Sequence, residues 1–169
     1  MKTPLRAWCL LLCTILSPVV ANGQDAPPSR DAALMTMSAY TKGLRGDFFY
    51  SGAVDDQIGI GMSIPDASRR LDDGTWLVSG CRHGNCTEKA AIIATSGGEA
   101  LAAAILHYEC SKKNAAKDCL GRPILTIFVR SFVNSPSVPR NLQDWARKEL
   151  AQYKNYHPLR MTKIQILRR

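Results

Sequence analysis

The heptapeptide Gly80-Cys81-Arg82-His83-Gly84-Asn85-Cys86 constrains this chain more than any other stretch. Two cysteines enclose four residues that carry no apolar side chain: a cation, an imidazole, a glycine and an amide. Thr75-Trp76-Leu77-Val78 precedes it and Lys89-Ala90-Ala91-Ile92-Ile93-Ala94 follows, and both read as strands. A polar segment between two apolar strands does not belong in a core, because its polar groups would be costly to bury without partners. It reads as a projecting tip. If the two thiols are joined, the tip is a small ring with few conformations, and little entropy is lost when such a ring enters a partner's cleft.

The strands around the tip set the fold class. Ser96-Gly97-Gly98 follows the outgoing strand and reads as a hairpin turn, since glycine accepts the positive φ such turns require. The chain then returns from Ala100 to Glu109; Ala100 to Ala104 could be helical on propensity, but the preceding glycines and pairing with residues 91–95 favour a strand. Residues 122–130, Arg-Pro-Ile-Leu-Thr-Ile-Phe-Val-Arg, are β-branched and strand-like. Met161 to Leu167 alternates as a candidate edge strand. Asp31 is expected to cap a helix through Tyr40, with Ala33, Met37 and Tyr40 on its core face. The aromatic run Phe48-Phe49-Tyr50 is expected to pack on the sheet. Residues 51–73, rich in glycine and aspartate, read as solvated turns, and Ser135 to Pro139 as a linker. Asn141 is expected to cap a second helix bearing Leu142, Trp145, Leu150 and Tyr153 on one face. These elements predict an α+β fold: a central antiparallel sheet flanked by helices, with a protruding loop.

The first 23 residues stand apart. Lys2 and Arg6 form a basic region, Ala7 to Leu16 an apolar one, and Ala21-Asn22-Gly23 supplies small residues for a signal peptidase. Cleavage is expected after Gly23, with Ala21 the alternative. The apolar run is too short to span a bilayer, and Cys13 follows Leu12 far from the cleavage point, which argues against a lipid anchor. Residues 24–169 are then one exported domain without stable membrane insertion. Of six cysteines, Cys81, Cys86, Cys110 and Cys119 remain in it. Four cysteines in an oxidising compartment allow three connectivities, and proximity favours Cys81–Cys86 with Cys110–Cys119. A zinc site would need reduced thiolates at closer spacing, and no Cys-x-x-Cys redox motif is present.

The ring and its flanks, Trp76-Leu77-Val78-Ser79-Gly80-Cys81-Arg82-His83-Gly84-Asn85-Cys86, followed by a polar pair and an apolar strand, resemble the Ivy family of periplasmic inhibitors of c-type lysozyme. In that family a disulfide-closed loop reading Cys-Lys-Pro-His-Asp-Cys enters the lysozyme active site, and its histidine hydrogen-bonds to the catalytic carboxylates. The loop here has the same length, a basic residue in the second position and a histidine. It lacks the proline, carries His83 one position earlier, and has Asn85 in place of the acid. The likeness covers residues 76–109. It implies a periplasmic inhibitor that plugs a lysozyme, or a related peptidoglycan-cleaving glycosidase, with Cys81, Arg82, His83, Gly84, Asn85 and Cys86. An envelope immunity or interaction protein with another partner is the alternative, and a homodimer is left open.

The residue chemistry is compatible with that role. A glycosidase cleft holds two carboxylates; an imidazole between them can hydrogen-bond to either, and Arg82 could bind one bidentately. On position alone, His83 is a surface residue in a closed turn. His107, inside an apolar strand, reads as a satisfied, partly buried side chain, and His157 as exposed. Glu88, Glu99 and Glu109 read as strand-end surface charges. No nucleophile–base spacing is visible, so no catalytic residue, cofactor or metal is expected. The aspartates of residues 51–73 do not match a calcium loop, and Gly59-Ile60-Gly61 lacks the third glycine of a phosphate motif.

Charge adds one tension. The formal net charge is +8, or +6 once Lys2 and Arg6 are removed. Residues 24–139 are neutral, with twelve basic and twelve acidic side chains, so the excess lies in residues 140–169, with eight basic side chains against Asp144 and Glu149. Export argues against nucleic acid as the partner of this basic segment. Against a basic lysozyme it would slow encounter.

Overall fold

The computed structural model describes residues 26–109, 122–153 and 157–168. The Cys110–Cys119 pair and residues 1–25 lie outside them. Within the described residues the protein is a mixed α+β fold built on one twisted sheet. Nine strands and three helices run in the order α1 Arg30–Thr41, β1 Arg45–Asp47, β2 Ser51–Ala53, α2 Val54–Gly61, β3 Ile64–Pro65, β4 Arg69–Arg70, β5 Trp76–Arg82, β6 Asn85–Ala94, β7 Ala100–Tyr108, β8 Pro123–Arg130, α3 Ser137–Ala151 and β9 Met161–Leu167. The main sheet has the order β3-β5-β6-β7-β8-β9, and β4 pairs with the far end of β5; β1 and β2 form a separate ribbon.

Antiparallel pairing runs from β5 to β8 because consecutive strands are joined by short turns. The turn after β6 takes the expected form, with Gly98 at φ +83 and its amide donating to the Thr95 carbonyl at 3.0 Å. The last strand departs from antiparallel pairing. β9 runs parallel to β8, Ile127 facing Ile164 and Val129 facing Ile166. The intervening α3 is the crossover that a parallel neighbour requires.

Helices cover both sheet faces. Leu77, Ala91, Ile93, Ala104, Leu106, Leu125 and Ile127 face α3, which buries Val138, Leu142, Trp145 and Leu150 against them. The opposite face presents Val78, Ala90, Ile92, Ala103, Ile105 and Phe128 to Ala33 and Met37 of α1 and to Val54 and Ile58 of α2. With both faces covered, β8 is buried along its whole length rather than alternating. Phe48 packs edge-on to His107 and Phe128 at ring-centroid distances of 5.0 and 5.9 Å. Tyr50, third in that aromatic run, is exposed.

Three local expectations are corrected. The α1 cap is Ser29, whose hydroxyl accepts from the Ala32 amide at 3.1 Å, while Asp31 lies in the first turn. α3 begins at Ser137, not after Asn141. Pro139 is tolerated there because the first-turn amides have no partner within the helix to lose. The stretch read as turns contains α2, with Asp55 and Asp56 in its first turn, where carboxylates favour the positive end of the helix dipole. Gly61 lets α2 approach the sheet: a Cβ there would lie 2.7 Å from the Ala90 Cβ.

A buried arginine ties α1 to the sheet. Arg130 lies between the Tyr40 and Phe132 rings, 3.7 and 4.1 Å from their centroids, and bonds to the Tyr40 hydroxyl. Its guanidinium also donates to the Ala100 carbonyl at 2.6 Å and pairs with Glu99 at 3.0 Å. Glu99 is thus a partner for a buried cation.

Candidate functional site

The ring is the apex of a tight hairpin. β5 extends to Arg82 and β6 starts at Asn85, so Arg82 pairs with Asn85 and only His83 and Gly84 form the turn. Gly84 has φ +78, a left-handed conformation that favours glycine. Below the turn, Cys81 pairs with Lys89. One step along β5 therefore spans four along β6, which leaves Cys86, Thr87 and Glu88 as a bulge. Bulges of this kind bend and twist a strand. The Cys81–Cys86 disulfide closes this irregular segment, with Cα atoms 4.7 Å apart.

Within the ring the side chains divide by environment. Cys81 is buried, Arg82 is half-buried, and His83, Gly84, Asn85 and Cys86 are exposed. Arg82 is engaged within the fold, paired with Glu88 across the hairpin and 6.0 Å from the Phe49 ring centroid. Its guanidinium therefore supports the hairpin, and Glu88 is its counter-ion. Asn85 folds back: its Oδ1 accepts from the Thr87 hydroxyl at 2.7 Å and the Thr87 amide at 3.4 Å. His83 is the ring side chain at the apex of the turn.

Neighbouring elements brace the hairpin from both sides. The His83 amide donates to the Ser63 hydroxyl at 2.8 Å, and that hydroxyl donates to the Cys81 carbonyl at 3.3 Å. Ser63 comes from the link between α2 and β3, which passes so close to β5 that a Cβ on Gly80 would meet the Ile64 carbonyl oxygen at 2.6 Å. From the other side, the Tyr153 hydroxyl at the end of α3 donates to the Cys86 carbonyl at 3.2 Å. Lys89, buried at the hairpin base, pairs with Glu149 of α3 at 2.9 Å and Asp66 at 3.5 Å. Burial alone would lower its pKa, but the hydrogen bond and charge of Glu149, helped by Asp66, raise it above the ordinary lysine value. The lysine therefore stays charged and locks α3 to the hairpin base.

Ser63, Tyr153, Glu88 and Lys89 are the supporting residues that sequence reasoning missed. Glu88 had a weak signal in its position just past the ring. Lys89 lies on the strand leaving the ring and faces Cys81, whereas Ser63 and Tyr153 are joined to the ring only by tertiary packing.

The remaining candidates lie elsewhere. His107 is buried, and its Nε2 is 3.0 Å from the Thr126 hydroxyl. Burial, with the Lys163 charge, pushes its pKa down to about 4. It borders a cavity of about 370 Å³ with Phe48, Phe49 and Lys163, separate from the ring. Among the described residues, no three His, Cys, Asp or Glu side chains cluster as a metal site would require. No helix among them is long and apolar enough to cross a membrane.

The strand order also separates the charges. Lys163 and Arg168 lie on or next to β9, four strands from β5. At about 4.8 Å per strand this is roughly 19 Å, beyond a Debye length of about 8 Å at physiological salt. The cations of β9 thus contribute little to the field at the hairpin apex. No protein-family model, curated protein or solved structure gives a significant match to the chain.

Proposed function

We propose that this protein is an exported, periplasmic inhibitor of a peptidoglycan-cleaving glycosidase of the c-type lysozyme class, and that the His83 apex is its plug. One observation carries the reading: an exposed imidazole stands on a two-residue turn that is closed by a disulfide and clasped at its own backbone by Ser63. A rigid projection loses little entropy on entering a cleft. An imidazole has a donor and an acceptor nitrogen, or two donors when protonated, and so can bridge the paired carboxylates of a glycosidase. The inhibitor carries out no chemistry and occupies the place of the scissile bond. Arg82, committed to Glu88, supports the hairpin and leaves the contact to His83. Resemblance of the ring to the Ivy family agrees with this reading.

The test is lysis of a Gram-positive cell suspension by c-type lysozyme, with and without the purified oxidised protein. Stoichiometric suppression that is lost in His83→Ala is the expected result. Suppression that survives this change would reject the plug, and no suppression at large excess would reject a c-type target.

A further inference from the structure

The edge of the sheet farthest from the hairpin has a different character. β9 is the last strand, and among the described residues nothing pairs with its outer side. It pairs with β8 over seven consecutive positions without a register shift, and contains no proline. Edge strands are usually protected by bulges, prolines or several inward charges, because a row of free N–H and C=O groups is a template for another strand. Lys163 is the single charge within β9.

The side chains add to this. Ile164 and Ile166 are 51% and 53% exposed, more than a core-facing strand would tolerate. Their β8 partners, Ile127 and Val129, belong to the core beneath α3, so the two isoleucines continue that apolar surface past the cover of the helix. Lys163 within the strand and Arg168 just after it are exposed, while Arg160 before it pairs with Glu109 at 3.4 Å, and the sequence around them is basic. Residues 151–169 include Lys154, Arg160, Lys163, Arg168 and Arg169 and no acidic residue.

We propose that the outer edge of β9 receives an extended, acidic segment of a partner protein, which adds to the sheet as a further strand. The backbone of that segment would pair with β9. Its apolar side chains would lie beside Ile164 and Ile166, and its carboxylates, on the opposite face, would meet Lys163. This is strand addition, in which main-chain bonds supply affinity and alternate side chains supply specificity. Charge selects the occupant. A second copy centred on Ile164 would set Lys163 opposite Gln165 and leave it without a counter-ion, with Arg160, which already pairs with Glu109 at 3.4 Å, opposite Arg168; an acidic strand gives Lys163 a carboxylate partner. This surface is remote from the hairpin and does not rest on the glycosidase reading.

The experiment uses the full oxidised protein and a fluorescent heptapeptide that alternates glutamate with valine, seven residues being the length of β9. Fluorescence anisotropy should give saturable binding, weakened at least tenfold by replacing glutamate with lysine, by N-methylating alternate peptide bonds, or by Ile164→Lys in the protein. Ile164 is exposed, so circular dichroism should show that variant folded. His83→Ala should leave peptide binding unchanged, which separates this test from that of the hairpin. Equal binding of the N-methylated peptide would overturn strand addition. Absence of saturation at millimolar peptide would overturn the proposal, as would sedimentation showing a dimer that Ile164→Lys dissolves, or binding to anionic vesicles in place of the peptide.

Discussion

The backbone amide of His83 donates to the hydroxyl of Ser63, 20 residues earlier in the chain, at 2.8 Å. The bond fixes the apex from outside the ring, so the hairpin geometry does not depend on the disulfide alone. Ser63→Ala should leave the fold intact and remove this clasp together with the longer bond from the hydroxyl to the Cys81 carbonyl. A lost hydrogen bond of this kind is worth about 1 kcal/mol, so inhibition should weaken about fivefold, against a much larger loss for His83→Ala. Equal losses in a lysozyme titration would mean that the imidazole itself contributes nothing.

The disulfide and the clasp should act in sequence. Opening a loop of about six residues releases roughly 2 kcal/mol of chain entropy in the unfolded state. A Cys81→Ala/Cys86→Ser variant should therefore lose about that much stability in urea unfolding, and its inhibition should weaken. Ser63 and Tyr153 still brace the apex in this variant. Combining it with Ser63→Ala should therefore cost more than the sum of the separate losses in a double-mutant cycle. Strict additivity would show that the two restraints are independent.

Gln57 holds the aromatic ribbon to α2. It is fully buried, its Oε1 accepts from the Phe48 and Phe49 amides at 3.1 Å each, and its Nε2 donates to the Gly46 and Gly52 carbonyls at 3.0 and 3.3 Å. Gln57→Leu would strand two amides and two carbonyls near the core. At about 1–3 kcal/mol for each unsatisfied buried group, partly relieved by water, the loss should be about 3 kcal/mol or more. Urea unfolding checks it; a loss under 1 kcal/mol would mean that the ribbon is not held by this side chain.

What the sequence revealed of all this follows from the range of the forces involved. β5, β7 and β8 were legible because apolar runs bounded by glycine and proline are local signals, and Cys81 with Cys86 marked the apex for the same reason. α2 was hidden because Gly59 and Gly61 oppose a helix by propensity; Gly61 is there for a tertiary reason, the close approach to Ala90. The parallel pairing of β9 could not be read from its alternation, which is the same for either direction. Arg82 looked free in sequence, and only the three-residue bulge brings Glu88 back to it. Ser63 carried no signal, since a serine in a polar turn is ordinary until β3 sets it against the hairpin.

His107 gives the fold a pH dependence with a defined sign. Its ring is buried beside Phe48 and Thr126. Burial first, then the positive charge of Lys163, lowers its pKa from 6.5 to about 4. Below pH 6.5 the unfolded chain takes up a proton that the folded chain refuses, so stability falls as pH drops from about 6.5 to about 4 and levels off below. Above pH 6.5 both states carry a neutral ring and this contribution is constant. The shift corresponds to a loss of about 3 kcal/mol across the window, and the carboxylate Asp73, whose pKa is lowered from 3.8, acts only at more acid pH. Urea unfolding from pH 7 to 4.5 should show the decline. His107→Gln can keep a bond to Thr126 but cannot take up a proton, so it should flatten the profile whatever it costs at pH 7. A variant with the same slope as the parent would assign the acid sensitivity to other groups.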